Sequence, residues 1–165
     1  LQRDGGRVKF ILAGDGDNLE EYREQARDCA NVLFPGWLTA AQIHELLGRA
    51  HLGLVPYRNA ADYVMSVPNK VGEYLAAAVP IASCLGGPLE RLLAERSCGL
   101  QFAASSPASL AALVRKLLSD EPLRLKLSGN ARRTYQEELD AATVYGRLVD
   151  RLEELAASTA GLRSV

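Results

Sequence analysis

Between Met65 and Ala82 the chain reads MSVPNKVGEYLAAAVPIA, a loop that runs into a short helix and then into an apolar strand. On a helical wheel at about 100° per residue, Val71, Tyr74, Leu75 and Ala78 share one face while Asn69, Lys70 and Glu73 share the other. Pro68 suits the first turn, where its missing N–H would be unpaired anyway, and Ser66 is placed to cap the helix. Lys70 opposes the helix dipole there, at about 0.3–1 kcal/mol, unless an anion sits beside it. A phosphate reverses that sign, because free amides and the ammonium then address one negative charge. Gly72 leaves room for close approach from that side or for tight helix packing. The plainer alternative is a solvated face on which Lys70 and Glu73 pair at i, i+3.

Two further segments have residue types that can do chemistry. In ILAGDGDNLEEY a strand passes through Gly14-Asp15-Gly16 into a helix, but Leu19 stands where a dinucleotide fingerprint needs its third glycine. An ordinary turn with Asp17 or Asn18 as helix cap is the alternative. In FPGWLT, Gly36 ends a strand and Thr39 caps the next helix, so Trp37 and Leu38 either floor a pocket or cover the core. His44 and His51 stand alone, with no partner at ligand spacing, and read as structural.

The elements that position these residues follow an alternating pattern. Strands are expected at 8–13, 31–35, 52–56, 80–84 and 99–103, with helices at 18–29, 39–50, 69–78 and 88–97, the signature of β-α units around a mostly parallel sheet. The strands are nearly continuous apolar runs, which predicts burial on both faces. A long irregular connection leaves the strand at 52–56 and enters the Asn69 helix; in open α/β sheets ligands bind at that end of the strands. From Pro107 onward only helical patterns remain. Tyr145, Leu148, Leu152 and Leu155 fall at helical spacing in the last of them and predict a packing helix, while the tail at 159–165 is expected to fray.

At 165 residues the chain reads as one domain, and its 48% apolar and 24% charged composition is that of a soluble globular protein. A formal net charge of −1 argues against a nucleic-acid partner held by a general basic field. Cys29, Cys84 and Cys98 are odd in number and widely spaced, so neither a disulfide framework nor a zinc site is expected and a reducing, cytoplasmic compartment is. There is no apolar run of membrane-spanning length and no signal-peptide pattern. The opening LQRDGGR lacks an initiator Met, which reads as a piece of a longer protein.

Taken in order, AGDG, FPG, RAHLGLVPY, SVPNKVGEYLAAAVPIA and GGPLERLLAERSCGLQF resemble the donor-binding C-terminal domain of retaining GT-B glycosyltransferases of the family 4 type. The likeness spans residues 8 to 140. It implies an α/β fold, a Rossmann-like three-layer α/β/α arrangement with a mostly parallel sheet, followed by C-terminal helices. Residues 1–140 would then form a nucleotide-sugar-binding domain lacking its usual first strand and helix, and 141–165 a C-terminal helix and tail. The implied function is the donor-binding half of a retaining glycosyltransferase in polysaccharide or glycoconjugate biosynthesis. Its substrate would be a UDP- or GDP-sugar donor, with no cofactor and no metal.

The same resemblance assigns residues. An E-x7-E element lines the donor site in that family, and its second Glu, on the ribose hydroxyls, matches Glu73. The first position, which contacts the donor sugar, falls on Met65 and departs from the pattern. Ser66, Pro68 and Lys70 form a Ser-x-Pro-x-Lys variant like that of transferases building surface polysaccharides, and the backbone of Pro68, Asn69 and Lys70 would meet the diphosphate. The turn after FPG, at Trp37 and Leu38, would border the nucleobase. Ala78 stands where relatives carry Gly, a departure expected to affect packing alone. No catalytic residue is assigned.

Such a domain ordinarily begins with one more strand and helix, bearing an Arg and a Lys that clamp the diphosphate, and follows an acceptor domain that would bring in a membrane-associated acceptor and a place at the inner membrane face. The absent strand belongs between those at 8–13 and 52–56. The chain is thus expected to close that gap, borrow a strand, or pair with a neighbouring chain as a homodimer through an exposed edge. Alone, it is expected to bind donor weakly and transfer little. Two alternatives stay open: another GT-B nucleotide-sugar enzyme such as an epimerase, and a non-catalytic Rossmann-like interaction module. A dinucleotide-dependent oxidoreductase is disfavoured by the incomplete glycine fingerprint and by the lack of an acidic ribose partner about 20 residues later.

Overall fold

A computed structural model of the chain describes residues 8–58 and 60–162; the lead-in at 1–7, Asn59 and the last residues of the tail lie outside it. The chain divides into two compact units, one up to Ala50 and one from His51. Among the described residues all strand pairing is parallel, in two separate sheets where a single one was expected.

In the first unit, β1 (Phe10–Ala13) pairs with β2 (Val32–Gly36), and α1 (Leu19–Gln25) and α2 (Ala40–Leu47) follow them. Thr39 and Gln42 close a reciprocal capping box at the start of α2, as the threonine predicts. Asn18 does sit at the N-cap of α1, yet its side chain makes no capping bond. Burial on both faces is not realised here: Ile11, Leu12, Leu33 and Trp37 are all exposed. A two-stranded sheet has too few neighbours to cover strands of that composition.

The second unit holds β3 (Gly53–Val55), α3 (Ala61–Val64), α4 (Asn69–Ala76), β4 (Ile81–Ser83), α5 (Pro88–Arg96) and β5 (Gly99–Gln101). The helices α6 (Pro107–Ser119) and α7 (Glu121–Thr134), a π turn (Tyr135–Leu139) and α8 (Ala141–Leu162) complete it. The sheet order is β3-β4-β5, with Gly53, Ile81 and Gly99 in one row and Leu54, Ala82 and Leu100 in the next. Because side chains alternate along each strand, one face offers Val55 and Ile81 to Val71 and Leu75 of α4 and to Leu89 and Leu93 of α5. The opposite face offers Leu54, Ala82 and Leu100 to Leu113 and Leu117 of α6 and Leu127 of α7. This is a three-layer α/β/α unit, in which each fully buried Leu or Ile contributes about 1.5–3 kcal/mol.

Two glycines let the helices lie close. A Cβ on Gly53 would stand 2.4 Å from the Tyr74 ring of α4, and one on Gly99 would stand 2.9 Å from Leu93 of α5. Both helices end in residues with left-handed backbone nearby, Ala78 at φ 58° and Ser97 at φ 48°. Helix α7 receives their last carbonyls: Ser128 Oγ donates to Ala78 O at 2.6 Å, Arg132 Nη1 to Ala76 O at 2.5 Å and Asn130 Nδ2 to Ser97 O at 3.0 Å. Position 78 thus carries a backbone requirement, and the expectation that Ala78 affects packing alone is corrected.

Helix α8 corrects a second expectation. Tyr145, Leu148, Leu152 and Leu155 do share a helical face, but all four are exposed, as are Val144 and Val149. The helix continues to Leu162, so the tail is helical as far as it is described. No helix is long and apolar enough to cross a membrane among those residues.

Candidate functional site

The C-terminal ends of β3 and β4 are tied together by side chains. Ser83 Oγ donates to Val55 O at 3.2 Å and accepts from Leu85 N at 3.0 Å, Cys84 Sγ donates to Tyr57 O at 3.3 Å, and Gln101 Nε2 donates to Leu85 O at 3.1 Å. Desolvation raises the Cys84 thiol above its ordinary pKa, which keeps it in the protonated form that can donate. The turn that follows is equally constrained. Gly87 has φ 75°, and a Cβ there would fall 2.1 Å from Val64 O, so the turn packs directly on α3.

Helix α3, inside the long connection, was not legible in the sequence. It carries Tyr63, whose ring stacks on that of Tyr57 with centroids 5.1 Å apart and planes 6° from parallel. Lys70 Nζ stands over the same Tyr57 ring, 4.8 Å from its centroid. The i, i+3 pair of Lys70 with Glu73 is not formed; among the described residues neither has an ion-pair partner.

Helix α4 opens beside these rings in sequence and in contact. Val71 and Leu75 are fully buried, while Asn69 and Glu73 are exposed and Lys70 is half-buried, the division that the helical wheel predicts. Pro68 occupies the N-cap with extended backbone, φ −60° and ψ 141°, and no side chain caps the helix. Ser66 was expected to do so. Its hydroxyl instead donates to Tyr63 O at 3.4 Å, because Pro68 takes the position from which a cap must reach the first-turn amides. Val71 N–H donates to Pro68 O at 2.9 Å, and among the described residues no side chain caps the amides of Asn69 and Lys70. Met65 is 78% exposed.

The other expected positions lie in the first unit. Leu38 is half-buried between β2 and α2, and Trp37 beside it is 74% exposed, so Trp37 does not cover the core. The glycine turn after β1, with Gly14 at φ 137°, opens on a cleft of about 280 Å³ lined by Leu12, Asp17, Asn18, Tyr22 and Phe34.

Three groups near the start of α4 escaped the sequence reading: Tyr57, Tyr63 and Cys84. Tyr57 and Cys84 carried a usable signal, since each lies just past the C-terminal end of a strand, where open α/β sheets place ligands. Tyr63 carried none. Tyr74 is raised above its ordinary pKa, first by burial and then by the charges of Glu73 and Tyr57. No group of three or more His, Cys, Asp or Glu side chains that would hold a metal occurs among the described residues. A helix start whose first two amides no side chain caps, a cation with no carboxylate paired to it and an exposed carboxylate one turn later can hold an anion and hydrogen-bond hydroxyls attached to it.

The family described as glycosyl transferases group 1 matches residues 1–120. No curated protein matches. Among solved structures, Anabaena HepE in complex with UDP aligns with a TM-score of 0.78 at 18% identity, over 93% of this chain and 43% of that one. Sucrose-phosphate synthase from Thermosynechococcus elongatus aligns at 0.73 and 17%, over 90% and 38%. WaaG, a glycosyltransferase involved in lipopolysaccharide biosynthesis, aligns at 0.65 and 22%, over 79% and 34%. At these identities the likeness establishes the fold. The chain spans less than half the length of each of these structures.

Proposed function

The chain belongs to the glycosyl transferases group 1 family, and from that premise we propose that it is the donor-binding half of a retaining glycosyltransferase acting on a nucleotide-diphosphate sugar. The observation that carries this reading is the start of α4, which no side chain caps, with a cation, Lys70, that no carboxylate pairs with among the described residues. Lys70 and the first-turn amides stabilise the diphosphate, where charge develops as the sugar departs. Glu73, exposed one turn on, accepts from the ribose hydroxyls. UDP is the first nucleotide to test, since HepE was solved with UDP and with UDP-glucose. Polysaccharide or glycoconjugate synthesis is the proposed setting, supported by the likeness to WaaG, and the cytoplasm the proposed compartment, supported by three unbridged cysteines.

A second reading, a non-catalytic interaction module, is favoured by the exposed apolar stripe of α8 and by Met65 in place of a carboxylate. Saturation-transfer NMR with UDP, GDP and NAD separates the two, on this chain and on Lys70→Ala and Glu73→Ala. Contact with a nucleoside diphosphate that both substitutions weaken supports the donor site. Indifference to UDP and GDP alike overturns it for this chain and leaves the interaction module.

A further inference from the structure

Lys70 has a holder that is not a counter-ion. Its ammonium sits 4.8 Å from the centroid of Tyr57, well inside cation–π range, and neither Glu73 nor another carboxylate pairs with it among the described residues. The Tyr57 ring is itself fixed. Tyr63 stacks on it at 5.1 Å, and the Tyr57 carbonyl accepts from Cys84 Sγ at 3.3 Å just past the end of β3.

The kind of holder matters for what the lysine can do. A carboxylate would fix the ammonium but would also offset its charge and occupy its N–H donors. An aromatic face restrains the same ammonium through the ring quadrupole and leaves the net charge in place, with N–H groups still available to phosphate oxygens. An unrestrained lysine stem, by contrast, spreads its charge over many rotamers and loses that freedom on binding.

We infer that Tyr57 is a positioning residue for anion binding: its ring holds the Lys70 ammonium in place before a diphosphate arrives, without neutralising it. The inference rests on the donor-site reading above and adds to it a residue outside the Ser66–Glu73 segment.

The test compares the chain with Tyr57→Phe and Tyr57→Leu, using UDP and uridine as probes. Phe keeps the ring and removes the hydroxyl; Leu keeps an apolar side chain and removes the ring. The free protein should show an upfield ring-current shift of the Lys70 Hε protons that Phe preserves and Leu abolishes. UDP affinity should fall by about 2- to 5-fold in Tyr57→Leu, the size of an exposed cation–π contact, and stay unchanged in Tyr57→Phe. Uridine, which has no phosphate, should bind all three forms alike. UDP affinity unchanged in Tyr57→Leu, or UDP and uridine weakened together, overturns the role of Tyr57 alone. Absence of UDP binding in the parent chain with its ring-current shift intact overturns the donor-site reading and this role with it.

Discussion

Tyr74 occupies the space that a side chain on Gly53 would need: a Cβ there would lie 2.4 Å from Cδ2 of the ring. Tyr74 also reaches across β3, its hydroxyl donating to Leu54 O at 3.4 Å. The ring sits between α4 and the first strand of the sheet, so the contact sets how closely the helix bearing Lys70 approaches β3. Gly53→Ala should therefore destabilise the chain by roughly 1–3 kcal/mol through overpacking. Urea unfolding checks this as a lowered midpoint; a midpoint within error of the parent would show that the ring yields freely.

Ala78→Gly should act in the other direction. Left-handed backbone costs an L-residue about 1–2 kcal/mol, while glycine loses about 0.5–1 kcal/mol more entropy on folding than alanine. The difference leaves a net gain of about 0–1.5 kcal/mol at φ 58°. Thermal unfolding at fixed pH reads this as a raised Tm.

Glu73→Ala should erase a preference between two ligands. If Glu73 accepts from the ribose hydroxyls, the parent chain binds UDP better than its 2′-deoxy counterpart. A hydrogen bond to a charged group makes the loss on substitution about 10-fold or more for UDP. Titration calorimetry with both nucleotides on both proteins closes the cycle. An equal loss for the two would assign Glu73 to something other than the 2′-hydroxyl.

Stability should decline in alkali. Burial raises the Cys98 thiol above its ordinary pKa, and burial with the charges of Glu73 and Tyr57 raises Tyr74. In both cases the unfolded chain ionises first as pH rises, so the folded state binds more protons and stability falls with pH. The stability from Cys98 is intact below its unfolded value, about 8.5, and that from Tyr74 below about 10, each being lost as pH climbs through its higher folded value. Urea midpoints at pH 7 and pH 10.5 measure the decline. Tyr74→Phe should make that decline smaller, and an unchanged slope in that variant would remove Tyr74 from the explanation.

Much of the fold around the proposed site was legible because it depends on local periodicity. The two faces of α4 follow from the spacing of Val71 and Leu75 against Asn69, Lys70 and Glu73, and Thr39 marked the start of α2 through a bond that spans three residues. What went wrong depended on neighbours. Pro68 displaces Ser66 from the capping position, and the α8 stripe, whose spacing predicts packing, stays exposed.

By itself the sequence determined the β-α order, the buried face of α4 and the polar face that carries Lys70 and Glu73, since each is a matter of residue type repeated at a fixed interval along one segment. The tertiary structure alone decided that Lys70 meets the ring of Tyr57 and not the carboxylate of Glu73, that Tyr63 supports that ring, and that position 78 requires left-handed backbone. These contacts join groups from the end of β3, from α3 and from α4. No interval along the chain encodes them, because the distance between such groups is set by how closely glycines 53 and 87 let those elements pack.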